Sequence, residues 1–530
     1  MPSNCFFAAA KTPMVAAMTR LIYLASALIY LAAGQALALD FAARPEMRPQ
    51  THSKDHGLQA RARGPAFANA PRPRHSARPV PGGAGLSALL SGFDLGAQHS
   101  VVLMDVATGR VLEAHNGAAA LPPASVTKLI TARYGMASLG RNYQFTTRIL
   151  ATGPLSGGTL SGDLILSGGG DPALDSDELA GLAAAVKQAG ISRVTGRFLV
   201  DPNALPHFPA IEPGQPDHVA YNPGISGINL NFNRVYAEWG PGGRDLRLEA
   251  RAEAQSPRVS VVRATATDQA GPIFRYRARS GHEAWQVARA AMNRAGGRWL
   301  PVRRPAIYAG EVFRILARNA GISLPKPDIA TRPQTGREIA RHARRALPLV
   351  CRGMLHFSTN LTAEIIGLTA SRARGGAVTD LATSAATMQN WAANAGLPRA
   401  RFRDHSGLNA GNRLSGGDMA AFLVDADRVG AFDGLIRRYF VPAKDGKTPA
   451  LDGADVRAKT GTLNFVRGLA GYITGPKGRR LAFTIFSADL SARDRIDHGL
   501  EMPPGTRRFA RRAVALEKEI LRRWLTLYAG

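Results

Sequence analysis

The stretch Pro122-Pro123-Ala124-Ser125-Val126-Thr127-Lys128-Leu129-Ile130 changes character at its fourth residue. The two prolines favour extended backbone before them and break regular structure. From Ser125 to Leu139 the apolar residues Val126, Leu129, Ile130 and Met136 recur at helical spacing, which predicts a helix. Residues i and i+3 share a helix face, so the Ser125 hydroxyl and the Lys128 amine can meet. A serine hydroxyl is a poor nucleophile until a base takes its proton. Neutral lysine can be that base, whereas arginine stays protonated. The chain has 10 Lys against 57 Arg, so a lysine here stands out from its background.

Ser-x-x-Lys alone is a weak signal, and Ser323-Leu-Pro-Lys326 repeats it. Pro325 and Pro327 argue against a helix there, so that copy is set aside. Two further triplets each occur once. Ser358-Thr359-Asn360 precedes the helical stretch Leu361–Gly367, and Lys459-Thr460-Gly461-Thr462 lies just before a hairpin, on a predicted edge strand. Each alone reads equally well as a cap or a turn. The ordered set Ser-x-x-Lys, Ser-x-Asn, Lys-Thr-Gly is much more specific.

On these motifs the chain resembles the class C low-molecular-mass penicillin-binding proteins, the D-alanyl-D-alanine carboxypeptidase/endopeptidase family. A gap of 233 residues separates Ser125 from Ser358, and 101 separate Ser358 from Lys459. The long first gap is similar to that of class C members, which carry inserted domains there, and unlike the shorter gap of class A β-lactamases. Gly170-Asp-Pro-Ala-Leu174, Asp404-His-Ser-Gly-Leu408 and Leu469-Ala-Gly-Tyr472 add to the resemblance, which covers roughly residues 86–528.

The resemblance implies an α+β fold: a penicillin-binding-protein/β-lactamase-like transpeptidase domain, an antiparallel sheet flanked by helices, with a large, mostly β inserted region. It also implies a serine-type D-Ala-D-Ala carboxypeptidase, with endopeptidase action as well, that forms an acyl-enzyme on Ser125 and is acylated by β-lactams. Lys128 is then the base, Ser358 a proton relay, and Asn360 an orienting group. Lys459 and Thr460 hold the substrate carboxylate. The backbone N–H groups of Ser125 and Thr462, with Gly461 between the motif residues, form the oxyanion hole. Asp217 is expected near the substrate. One departure bears on specificity for the stem-peptide side chain. The family often has Arg shortly after Ser-Gly-Leu, whereas Asn409-Ala410 stand here and Arg413 is the nearest basic residue. Two other readings remain open at this stage: a β-lactamase or esterase on the same fold, and a non-catalytic cell-wall-binding protein.

The rest of the chain bounds these expectations. Its 530 residues, 45% hydrophobic and 20% charged, exclude a wholly disordered chain, a fibre and a multi-span membrane protein. Leu21–Ala33 is a short apolar run after Arg20, followed by Ala36-Leu37-Ala38, a signal-peptide pattern over 1–38 that places the mature protein in the periplasm. Met18 would be a more typical start for such a segment. Residues 39–84 are Pro-rich and basic and read as a linker. Residues 85–150 and 305–530 are assigned to the peptidase domain and 151–304 to the insertion. Hairpins are predicted at Ser100–Val106/Val111–His115 and at Leu469–Ile473/Leu481–Phe486, and an amphipathic helix at Arg507–Tyr528.

The formal charge of +28 points to peripheral contact with an anionic envelope or membrane surface. No zinc-finger spacing or aromatic RNA-binding signature accompanies it, so no nucleic-acid partner is expected. Peptidoglycan stem peptides and β-lactams are the expected ligands. Gly168-Gly-Gly-Asp171 lacks the Gly-Lys-Ser/Thr of a phosphate loop and reads as a turn. His356 and His405 read as structural or solvated, Cys351 as a buried small residue, and no metal or organic cofactor is expected.

Overall fold

The computed structural model describes residues 83–343, 345–497 and 499–530. The export segment and almost all of the basic linker lie outside the described residues.

Five strands form the central sheet, in the order Asp455–Leu463, Val466–Thr474, Arg480–Ala488, Gln98–Asp105 and Val111–His115. Every neighbouring pair is antiparallel. Both predicted hairpins are present, each longer than the sequence signal. The sheet is covered on both faces, and strand periodicity shows how. In Val466–Thr474, Leu469 and Ile473 enter one core while Val466, Ala470 and Tyr472 enter the other. In Arg480–Ala488, Leu481, Phe483 and Ile485 face the first, and Ala482, Phe486 and Ala488 the second. Alternation thus persists although nearly every residue is buried.

The helices Gly83–Phe93 and Thr506–Tyr528 cover one face. Trp524 is fully buried there, and its indole N–H donates to Glu113 at 2.8 Å. The other face carries the helices Thr127–Leu139, Leu347–Phe357, Asn360–Ala373, Leu381–Asn394 and Gly416–Arg428. The first and third of these cross closely. A Cβ on Gly135 would lie 2.4 Å from Ile366 Cγ2, so glycine permits the approach that sets Lys128 beside Asn360.

The insertion has its own core and its own five-stranded sheet, in the order Pro327–Ile329, Phe198–Asp201, Leu164–Gly168, Thr147–Ala151 and Arg337–His342. This core extends beyond the expected limits of 151 and 304. Helix Pro305–Asn319 buries Tyr308, Val312, Phe313 and Leu316 in it, and Arg337–His342 pairs with Thr147–Ala151. The chain returns to the catalytic core only at helix Leu347–Phe357. Pairing between strands so far apart in sequence leaves no local mark at either boundary. The set-aside Ser323/Lys326 pair falls in this region, just before strand Pro327–Ile329 and outside any helix. Gly170, at φ 81°, makes the turn expected of the glycine-rich run.

Candidate active site

Ser125 lies in a single 3-10 turn, Ala124–Val126, and the α-helix begins only at Thr127. The sequence predicted regular helix from Ser125. The difference comes from Ala124, which adopts φ 47°. A left-handed alanine costs of order 1–3 kcal/mol and persists only where its surroundings over-determine it. Here two glycines press on it. A Cβ on Gly407 would lie 1.9 Å from the Ala124 carbonyl oxygen, and one on Gly461 would lie 2.7 Å from that of Pro123 and 3.0 Å from Ser125 N. The strained turn is therefore clamped between the Asp404–Leu408 loop and the edge strand. Ser358 is also left-handed, at φ 57°, where helix Leu347–Phe357 gives way to Asn360–Ala373.

Tertiary folding brings the three motifs together. Lys128 Nζ is 2.9 Å from Ser125 Oγ, 2.7 Å from Asn360 Oδ1 and 2.7 Å from the Ser406 carbonyl oxygen. Lys459 Nζ donates to Ser358 Oγ at 3.0 Å and to the Thr460 carbonyl at 2.7 Å. Asn360 donates its Nδ2 to the carbonyl of Tyr221, on an insertion loop, at 2.9 Å. That bond fixes the amide so that its oxygen faces the lysine. Arg303 holds the same loop, donating to the carbonyls of Pro209, Asp217 and Asn222.

Asp455–Leu463 is the sheet's outer strand, so alternate residues turn their backbone groups away from the sheet. Ala458 does so, donating its N–H to the Arg437 carbonyl. Thr460 and Thr462 follow in phase, which aims the Thr462 N–H to the same side as the Ser125 turn. The Thr462 hydroxyl accepts from Arg467, itself paired with Glu517 of the C-terminal helix at 2.9 Å. Asp217 lies apart. It is exposed on the loop that carries Tyr221, and no hydrogen bond joins its side chain to Ser125, Lys128, Ser358 or Asn360.

Burial dominates the electrostatics. Lys128 is fully enclosed, and desolvation pushes its amine down to about 7, outweighing the raising influence of Asp404 and Glu364. Lys459 is driven well below its ordinary range by burial, then by the cations Lys128, Arg437 and Arg467. Glu364 lies under the site, accepting the backbone N–H groups of His405 and Ser406. Burial, then Asp404, raises its carboxyl to about 8. If Lys128 must be neutral to act, acylation by penicillin should rise about tenfold per pH unit below 7 and level off above it. Single-turnover labelling across pH 5–9 measures this, and a rate flat through pH 7 would refute it.

The sequence missed the Tyr221 and Ser406 carbonyls and the Glu364 carboxylate. Only Asp404–Leu408 had drawn notice, and nothing in it marked which carbonyl would face the lysine. After Ser-Gly-Leu, Asn409 donates to Glu212 at 2.5 Å, and Arg413 turns back onto the carbonyls of Ala410 and Asn412. His405 is buried against Ser384, and burial lowers its ring to about 3. Cys351 is buried too, its thiol pushed up to about 12.

A sheet sandwiched by helices, with one Ser/Lys pair beside a second, is the arrangement of a serine peptidase. The model of the D-Ala-D-Ala carboxypeptidase 3 (S13) family matches residues 84–502, and the chain belongs to that family of low-molecular-mass penicillin-binding serine peptidases. The D-alanyl-D-alanine carboxypeptidase DacB of Haemophilus influenzae is 23% identical over 419 residues, covering 75% of this chain and 87% of the relative. The D-alanyl-D-alanine carboxypeptidase of Actinomadura sp. (strain R39) is 27% identical over 429 residues, covering 74% and 77%. The crystal structure of penicillin-binding protein 4 (dacB) from H. influenzae superposes with a TM-score of 0.64 at 21% identity, covering 82% of this chain and 99% of that one. At that identity the superposition shows a shared fold.

Proposed function

We propose that this chain acts in the periplasm on peptidoglycan stem peptides, removing the terminal residue of D-Ala-D-Ala and cutting D-centred cross-links. The observation that carries this reading is the set of three contacts on Lys128. A neutral amine has two hydrogens and one lone pair. The Asn360 oxygen and the Ser406 carbonyl can only accept, so they take the two hydrogens. The lone pair is left for the Ser125 hydroxyl.

Ser125 Oγ then attacks the carbonyl of the penultimate D-Ala while its proton passes to Lys128. The oxyanion sits between the N–H groups of Ser125 and Thr462. The C–N bond breaks as a proton reaches the leaving amine through Ser358, which Lys459 orients. Water attacks the ester, and the proton it loses restores the Ser125 hydroxyl. The Lys459 end of the site, with Thr460 and the neighbouring cations Arg437 and Arg467, suits the substrate's terminal carboxylate. A β-lactam acylates Ser125 by the same route and leaves slowly.

The test is to digest purified muropeptides with the mature protein and identify the products by mass. Loss of a terminal alanine and separation of cross-linked dimers are both expected. Fluorescent penicillin should label the protein persistently. Rapid turnover of penicillin without alanine release would replace this reading with a β-lactamase.

A further inference from the structure

The insertion carries a second surface with a chemistry of its own. Its three-stranded sheet has the order Val262–Thr267, His282–Ala288, Phe274–Arg279. One face is packed into the protein: Val262, Glu283, Trp285, Val287 and Phe274 are buried. By strand alternation the other face presents Arg263, Arg275, Arg277 and Arg279 around His282, Ala284 and Gln286, with Thr265 and Thr267 beyond Arg263. Register places Arg263, Ala284 and Arg277 in one row across the three strands. Two arginines thus flank an alanine, their backbones about 10 Å apart. Along the outer strand Arg275, Arg277 and Arg279 recur every ~7 Å.

None of these four arginines has an ion-pair partner among the described residues, and Arg263, Arg277 and Arg279 are exposed. Glu283 is the sole carboxylate on the three strands, and it points inward, where it accepts the backbone N–H groups of Arg303 and Arg304. The protein therefore keeps a cationic sheet face in a part of the fold separate from Ser125.

The shape and lining select the occupant. A row of three arginines along one outer strand, with Arg263 opposite it across Ala284, fits one extended acidic chain whose carboxylates meet guanidinium groups on both sides. A bilayer would call for apolar side chains along the rim, and Ile273, 51% exposed, stands alone at its margin. Single-stranded nucleic acid would call for outward aromatic rings, whereas Phe274 and Trp285 are turned into the protein.

We propose that this arginine face is an interaction surface for the carboxylate-rich peptidoglycan strand, holding polymer while the Ser125 site works on its stem peptides. The inference rests on the substrate reading above. It adds a site for the polymer outside the catalytic cleft.

The experiment compares wild type with the variant Arg263→Gln/Arg275→Gln/Arg277→Gln/Arg279→Gln. Co-sedimentation with purified peptidoglycan sacculi should be salt-sensitive in wild type and about tenfold weaker in the variant. Release of D-Ala from a soluble stem pentapeptide should be unchanged. The matching Arg→Lys set, which keeps the charge, should retain most of the binding. If the fourfold variant fails to fold by thermal melt, the pair Arg263→Gln/Arg277→Gln serves instead, with a smaller loss of the same sign. Wild-type sacculus binding in the Gln variant overturns the proposal. So does a loss seen on phosphatidylglycerol vesicles or single-stranded DNA but not on sacculi. Failure of wild type to release D-Ala from the soluble peptide would defeat the catalytic reading instead, and the sacculus comparison would still report on the arginine face.

Discussion

Lys128→Arg is expected to slow penicillin acylation of Ser125 about 10²- to 10⁴-fold, the range usually contributed by a positioned general base. Arginine preserves the charge but stays protonated, so it has no lone pair for the serine proton. It would also bring five N–H donors to a fully enclosed position where only Asn360 Oδ1, the Ser406 carbonyl and Ser125 Oγ can accept. Fluorescent penicillin followed in single turnover measures the rate, and a thermal melt checks that the variant is folded. Lys128→Met, which removes base and charge together, should lose a similar amount, because what is missing in both is an available electron pair. A folded Lys128→Arg protein that labels at the wild-type rate would show that some other group takes the proton.

Gly461→Ala adds a single methyl group and should lower kcat about 10²- to 10³-fold, the cost of losing one oxyanion donor. The added carbon would lie 2.7 Å from the Pro123 carbonyl oxygen and 3.0 Å from Ser125 N. Both are backbone atoms in a strained turn that Gly407 already holds from another side, so the turn cannot yield cheaply. The strand can yield, because it is the outer one of its sheet. Its outward shift carries the Thr462 N–H away from the place where the oxyanion forms. Global stability should fall much less than activity, since the clash is relieved at an edge and not in a core. A folded Gly461→Ala protein with kcat within twofold of wild type would refute the placement of the oxyanion donors.

Much of this was legible in the sequence because it is local. The Ser125–Lys128 spacing is short enough to read directly, both central hairpins announce themselves as apolar runs flanking a turn, and Lys459-Thr460-Gly461 stands beside one of them. The insertion was legible as a long gap, but its edges were not. Helix Pro305–Asn319 has an ordinary amphipathic pattern that fits either core equally well, and contact with Phe198 and Val200 of the inserted sheet's core assigns it to the insertion. Glu364 could pass for a surface residue of a helix until the Asp404–Leu408 loop closes over it and offers two backbone N–H groups.

What the sequence determined by itself was which side chains assemble the site, since two serines, two lysines and an asparagine can be read one by one. What the tertiary structure alone decided was the state of those groups. The contacts of Lys128 are set by the Ser406 carbonyl and by an asparagine that the Tyr221 carbonyl holds in place, and every residue type has a carbonyl, so neither carbonyl left a trace in the sequence. The depressed pKa has the same origin, because desolvation is the summed effect of chain segments that come together only on folding.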